Sequence, residues 1–340
     1  MVMAGIFDRE EGRAEHKCPE LIGRGRESEE LDRLLRRSRL VTVVGMGGVG
    51  KSALVAQTAE RVARTGTTVV AVDLAGAGST EQVLQSAGPL DADDDMLLVV
   101  DNCDHLLAPA AAALGQLLAG FPGMRIVVTA RRRLGTEGER VLALKPIRLG
   151  DAVRLLELRA RQLGRPLAEA DEEDRVTAGR ICLRLDCLPL ALGLAAGQLP
   201  ERSPRELLVR LSETGGSLGL TGFGSDVPGR HRTMRHCHGW SHELCLAQER
   251  LLWARLSAFG GTFTRTAAEK VCEDGQLSRP TIASAVDGLV GQGLLELVNG
   301  RPELLRMPRT VQDYGSEWLA RLGEETRLLE RVLMWSRGLL

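Results

Sequence analysis

The sequence has no apolar run long enough to cross a bilayer. The longest, such as Leu188 to Ala196, falls well short of the ~20 residues a spanning helix needs. It also opens without a charged-then-apolar leader, so the expected location is cytoplasmic. An excess of either charge is missing too: the formal net charge is −1, which gives no bulk attraction to nucleic acid or to an anionic membrane. The seven cysteines are odd in number and follow no framework spacing, which suits a reducing compartment better than a disulfide scaffold. No internal repeat or low-complexity tract stands out. Lysine is the scarcest charged residue, with four against forty arginines.

One of those four lysines closes the most informative segment of the chain, Gly45-Met46-Gly47-Gly48-Val49-Gly50-Lys51-Ser52. An apolar stretch, Leu40 to Val44, precedes it as a predicted strand, and Ala53 to Ala63 follows as a predicted helix. This is a phosphate-binding loop. Gly45, Gly47, Gly48, Val49 and Gly50 let backbone N–H groups curl around phosphate oxygens, Lys51 brings a compact mobile charge to the outer phosphates, and the Ser52 hydroxyl is placed to ligate Mg2+. An arginine's broad planar fork would fit such a loop less well than an ammonium. None of Lys17, Lys51, Lys145 or Lys270 lies in the Asn/Thr-Lys-x-Asp segment with which P-loop GTPases read guanine. The expected ligand is therefore ATP or ADP with Mg2+.

Around this loop the chain alternates strand and helix signals. A helix is predicted over Glu27 to Leu35, and strands over Leu40 to Val44, Thr67 to Leu74, Met96 to Asp101, Arg125 to Thr129 and Val141 to Leu144. A weaker crossover helix falls near Glu81 to Gln85. Such alternation predicts an α/β domain with a parallel sheet over residues 21–147, after a loose arm at 1–20. Strand signals then stop. Helices predicted over Asp151 to Leu163, Glu173 to Leu185, Leu188 to Leu199 and from Ser203 to Leu211 make a helical bundle over 148–224. The last of them starts with a serine cap, a proline and a glutamate at the third position. Over 228–322, helices near Thr233 to Leu244, Gln248 to Ala258, Thr264 to Val271 and Pro280 to Gly291 precede two short apolar runs. These runs, Leu294 to Val298 and Leu304 to Met307, join at Asn299-Gly300, a hairpin dipeptide. Helices followed by one hairpin outline a winged helix, and 323–340 begins a further helical segment.

Two more strand ends carry chemistry. Leu97-Leu98-Val99-Val100-Asp101 ends a hydrophobic strand in an acid, the place where an aspartate holds the Mg2+ shell. Asn102 follows, where a second acid commonly activates water, and Asp104 is the nearest substitute base, so hydrolysis is expected to be slow. The strand Arg125 to Thr129 runs into Ala130-Arg131, and Arg131 is the candidate sensor of the γ-phosphate at the sheet's carboxyl edge. Arg309, after Met307-Pro308, is long and charged enough to reach a phosphate if the hairpin from Leu294 to Met307 aims it inward; a solvent-facing residue at the start of the following helix is the equal alternative. A zinc site is geometrically open to His231, His236, Cys237, His238, His242 and Cys245, although no second ligand pair of clear spacing faces them, and an ordinary helix with surface imidazoles is the plainer reading. Asp91 to Asp95 lacks the glycine and distal glutamate of a calcium loop and reads as a solvated turn.

The ordered set Leu21-Ile22-Gly23-Arg24, the phosphate loop, Val100-Asp101-Asn102-Cys103-Asp104-His105-Leu106, Thr129-Ala130-Arg131 and Leu185-Asp186-Cys187-Leu188-Pro189-Leu190 resembles the STAND-class signalling NTPases. These are NB-ARC-like proteins that include the nucleotide-binding core of bacterial AfsR/LuxR-type transcriptional regulators. Arg232-Thr233-Met234, Trp240-Ser241 and Arg255 to Phe263 continue the same order. The resemblance covers residues 21 to 322. It implies that Gly23, Arg24 and Pro189 flank the adenine, that Lys51 and Ser52 hold phosphates and Mg2+, and that bundle and winged helix form a lid. The sequence departs from that pattern at Cys187, where a glycine is usual, at Asn102, and at Pro308-Arg309, where relatives carry a histidine and an acid that contact ADP.

The expected protein is an ATP/ADP-controlled signalling switch with slow hydrolysis. Its expected partners are the nucleotide and an effector domain or separate effector protein, with self-association open and neither membrane nor direct DNA contact by this segment. Two other readings use the same motifs: a P-loop ATPase or kinase with a small substrate, and a winged-helix DNA-binding protein.

Overall fold

A computed structural model describes residues 5–6, 21–75, 95–165, 172–221, 232–298 and 300–339. The crossover helix expected near 81–85 and the acidic turn at 91–94 lie outside them. The chain divides into two compact units, one holding residues 1–45 and 50–145, the other residues 46–49 and 146–340.

The first unit is built on strands whose apolar residues bury both faces. Its sheet comprises β1 (Gly5–Ile6), β2 (Leu40–Val44), β3 (Thr68–Asp73), β4 (Met96–Asp101), β5 (Met124–Ala130) and β6 (Arg140–Ala143), in the order β1-β3-β4-β5-β2-β6. The five strands from β3 to β6 are parallel, and β1 adds antiparallel to β3, a pairing the reading of residues 1–20 as a loose arm did not foresee. Leu98, Val100, Ile126 and Val128 are fully buried and pack with Leu114 of the helix Leu107–Gly120. Continuous apolar strands are what a sheet covered on both faces requires. Because β2 lies between β5 and β6, the loop after it leaves the sheet where the strand order reverses, the usual position of a ligand in open α/β folds. Register aligns the carboxyl ends: Val44 pairs with Ala130, Val100 with Val128 and Asp73 with Asp101.

The second unit is mainly helical. Helices Leu149–Gln162, Glu172–Arg184, Pro189–Ala196 and Pro204–Ser212 come first. The last begins with the foreseen capping box, in which the Ser203 hydroxyl accepts from Glu206 N and the Glu206 carboxylate accepts from Ser203 N. Helices Met234–Leu244, Ala247–Leu256, Arg265–Cys272 and Arg279–Gly291 follow, then β8 (Glu296–Val298) and β9 (Arg301–Arg306). Gly300 turns between the last two with a φ of 75°, which glycine adopts without strain. β9 starts at Arg301, directly after the turn, where the apolar pattern predicted Leu304. Its first residues are exposed, so hydrophobicity gives them no signal. β7 (Thr262–Thr264), not foreseen, pairs with β9 to complete an antiparallel sheet in the order β7-β9-β8. Helices Arg309–Arg321 and Glu325–Ser336 end the described chain. No helix among the described residues is long and apolar enough to cross a membrane.

Candidate functional site

The first unit gathers the phosphate-loop flanks and the strand ends at one edge of the sheet. Gly45 and Gly50 adopt φ of 156° and 100°, and the helix Lys51–Arg64 starts directly after Gly50. The Lys51 ammonium donates to Gly45 O at 2.7 Å, so the charge is folded back over the loop that a phosphate would enter. The Ser52 hydroxyl donates to Asp101 Oδ1 at 2.8 Å. A serine hydroxyl and a carboxylate side by side are the hard oxygen donors that Mg2+ takes, and they fit the pair of metal-holding residues foreseen from sequence.

Asp101 is fixed from two further directions. The Thr129 hydroxyl at the end of β5 donates to Asp101 Oδ1, and the Asn102 side-chain amide donates to Asp101 Oδ2 at 2.9 Å. The same Asn102 amide donates to Asp73 Oδ1 at 2.8 Å, and Asn102 N donates to Thr129 Oγ1 at 3.1 Å. Asn102 holds a φ of 60°, a left-handed conformation that asparagine tolerates better than most residues. Its place after Asp101 is thus filled by a brace between two carboxylates. Asp73 escaped the sequence reading because a lone acid at a strand end has no distinguishing spacing.

Asp104 opens the short 3-10 turn Asp104–Leu106, and both of its oxygens face residue 131. Oδ1 accepts from Arg131 N, and Oδ2 lies 3.7 Å from Arg131 Nε, with the two side chains only 8% and 7% exposed. The structure therefore brings the candidate base and the candidate sensor together as a buried ion pair. Gly23 has a φ of 74°. Arg24, next to it, is buried and donates to Glu27 at 3.1 Å; burial pushes its guanidinium down and Glu27 draws it back up.

In the second unit, the loop tip 46–49 packs with its own surroundings. Gly48 O accepts from Leu190 N at 3.1 Å, and a Cβ on Gly48 would stand 2.9 Å from Leu190 Cβ at a backbone φ of 79°. Only glycine fits there. Pro189 is the first residue of the helix Pro189–Ala196. Asp186 and Cys187, just before it, both have positive φ, 54° and 51°. That turn aims the Asp186 carboxylate at the start of the helix Arg309–Arg321. It accepts from Arg309 N at 2.9 Å, Thr310 N at 2.8 Å and Thr310 Oγ1 at 2.9 Å. Burial pushes the Asp186 carboxyl up; the Thr310 and Arg309 amides, the Thr310 hydroxyl and Arg306 draw it partly back. Arg309 thus spends its backbone N–H on Asp186; the residue is exposed and borders a cavity of about 120 Å³ with Arg306, Gln312 and Gly260 to Thr262.

The histidine and cysteine group has another fate. His242 stacks on Trp318 at 4.6 Å and 11°, and His238 lies edge-on to Trp253. Burial pushes the His242 imidazole down to about 4, with Arg250 adding to it. Among the described residues no group of three or more His, Cys, Asp or Glu side chains is arranged to hold a metal ion.

No family model matches the sequence. The uncharacterized protein Rv0894 of Mycobacterium tuberculosis is 31% identical over 333 residues, 91% of this chain and 84% of that protein. The chain belongs to the Rv0894 family. A longer M. tuberculosis protein, Rv0890c, provisionally named as an HTH-type transcriptional regulator, is 31% identical over 315 residues, which is 86% of this chain but 35% of that protein. Among solved structures, the Walker-type ATPase of Pyrococcus abyssi superposes over 87% of this chain and 95% of its own, with a TM-score of 0.59 and 11% identity. This member of the Rv0894 family therefore has a P-loop ATPase fold.

Proposed function

We propose that this protein is an ATP- and ADP-binding switch of the STAND, NB-ARC-like kind, the regulatory core of a bacterial transcriptional regulator that works in the cytoplasm. The observation that carries the reading is the contact between Ser52 Oγ and Asp101 Oδ1, with Lys51 folded over the loop on the same helix start. Lys51 would meet the outer phosphates, and Ser52 and Asp101 would hold the Mg2+ that neutralises them. Gly23, Arg24 and Pro189 are assigned to the adenine, Gly45 to Gly50 to the phosphates, and Arg131 and Arg309 to sensing them. The helices and three-stranded sheet over 232–322 are read as a winged helix that moves with the bundle as a lid.

Hydrolysis belongs to the reading as a slow step, because Asn102 occupies the position of a second acid and is committed to Asp73 and Asp101. The kinship with a longer regulator supports an effector carried elsewhere in a longer chain or by a partner protein. Equilibrium titration with a fluorescent ATP analogue tests the site. Lys51→Ala is expected to weaken binding at least tenfold, about 1.4 kcal/mol or more. Asp101→Ala is expected to remove chiefly the Mg2+ dependence. Wild-type affinity in the Lys51 variant would sink the assignment.

A further inference from the structure

We propose that Asp104 is a positioning residue for Arg131, and that by holding the guanidinium it sets how strongly the site distinguishes ATP from ADP. The inference rests on the phosphate loop being an ATP site. Arg131 stands one residue beyond β5, on the edge where Asp101, Thr129 and Ser52 meet. Its side chain is 7% exposed and is matched by a carboxylate that is itself 8% exposed. Asp104 holds residue 131 twice, through the backbone N–H to Oδ1 and through the guanidinium to Oδ2. The turn that places Asp104 is anchored to the same strand end, since Cys103 N donates to Thr129 O and Asn102 N to Thr129 Oγ1.

Asp104 therefore acts through Arg131, since both of its oxygens face that residue. A general base must keep an oxygen within reach of the water it deprotonates. Here the carboxylate instead offers Arg131 the charge a γ-phosphate would offer, and the 3.7 Å separation from Nε marks a contact looser than a close hydrogen-bonded ion pair. For the guanidinium to turn to a γ-phosphate, it exchanges one anion for another. ADP has no γ-phosphate and leaves the pair as it is. The carboxylate competes with the third phosphate alone, so it lowers ATP affinity and spares ADP.

The test compares Kd for a non-hydrolysable ATP analogue and for ADP, in Mg2+, on the full chain. Asp104→Asn keeps an oxygen for Arg131 N but removes the charge. It is expected to raise the ATP-over-ADP affinity ratio about tenfold, almost entirely through ATP. Asp104→Glu restores the charge and is expected to return the ratio to within about twofold of wild type. In an Arg131→Gln background, Asp104→Asn should leave the ratio unchanged. A merely structural role for Asp104 would shift both nucleotides together and show no dependence on Arg131. An unchanged ratio in Asp104→Asn with both nucleotides still bound overturns the proposal, and if phosphate release drops at that unchanged ratio, Asp104 is a base. Wild-type protein that binds neither nucleotide overturns the ATP reading itself. Should Asp104→Asn fail to fold, the Arg131 Nε–H resonance of the wild type decides: it should move with the ATP analogue and not with ADP, and no difference between them overturns the proposal.

Discussion

Replacing Asp186 with alanine removes one carboxylate that accepts three hydrogen bonds, two from the first backbone amides of the helix Arg309–Arg321 and one from the Thr310 hydroxyl. Thr310 is fully buried, so water does not replace the lost acceptor freely. Removing an ordinary helix cap costs about 1 kcal/mol, and a hydrogen bond to a charged group contributes about 1.5–3 kcal/mol. Against this stands the desolvation that pushes the Asp186 carboxyl up, which shows that burying the charge offsets part of the gain. The expected net loss is about 2–4 kcal/mol for Asp186→Ala, or roughly 4–16 °C in melting temperature for a unit of this size. Asp186→Asn keeps one acceptor oxygen and sheds the desolvation cost, so it should lose about half as much. Calorimetry on both variants reads the two shifts directly. A change below about 1 °C in the alanine variant would refute the argument, because an unmatched buried helix start cannot be free of cost. An asparagine variant as damaged as the alanine one would show that the charge matters and the acceptor does not.

Arg309→Ala keeps the amide that Asp186 holds and removes only the side chain, so it should weaken ADP binding about fivefold while moving the melting temperature by less than ~1 °C. Calorimetric titration with ADP checks this, and unchanged affinity would remove Arg309 from the nucleotide site. Stability should fall as the pH drops from about 6.5 to about 4, because the folded state holds His242 neutral at a lowered value while the unfolded chain protonates it earlier. Denaturant midpoints measured from pH 7.5 to pH 4.5 should show that loss in the wild type and less of it in His242→Phe; equal slopes would remove His242 as the cause. Phosphate release under single-turnover conditions should run well below about 10 per second, and fast multiple turnover without a partner would favour the enzyme reading.

Much of the first unit was legible because its chemistry is local. The strand, glycine loop and lysine that make the proposed phosphate site are contiguous, and β2 and β4 coincide with the apolar runs that predicted them. The Ser203 capping box was equally plain, since three residues suffice to specify it. What the sequence hid are partners far apart in the chain. Nothing near Asp186 indicates that it meets Thr310, and nothing near Asp104 indicates Arg131, because such contacts leave no period of 2 or 3.6. The histidines are a further case: spacing on one helix left a metal open beside the plainer reading of surface imidazoles, and neither foresaw His238 and His242 packing against Trp253, Tyr314 and Trp318 from two other helices.

Asn102 and Asp186 show how one chemical problem is solved twice. At the sheet edge, Asp73 and Asp101 are register partners whose carboxylates would repel, and the Asn102 amide donates to both. A second acid at that position would add a third like charge and remove the donor, so one substitution there would loosen the Asp73–Asp101 edge that the proposed Mg2+ pair depends on. At the start of the helix Arg309–Arg321 the roles reverse: the backbone amides supply the donors and Asp186 the charge. Pro308, just before them, has neither a side-chain donor nor a backbone N–H. The carboxylate of the preceding bundle takes the place of an anion at that helix start. The bundle and the helix Arg309–Arg321 are thus joined by bonds that involve no nucleotide, which predicts that this junction within the second unit survives loss of ADP, whereas the response to ATP should depend on Arg131.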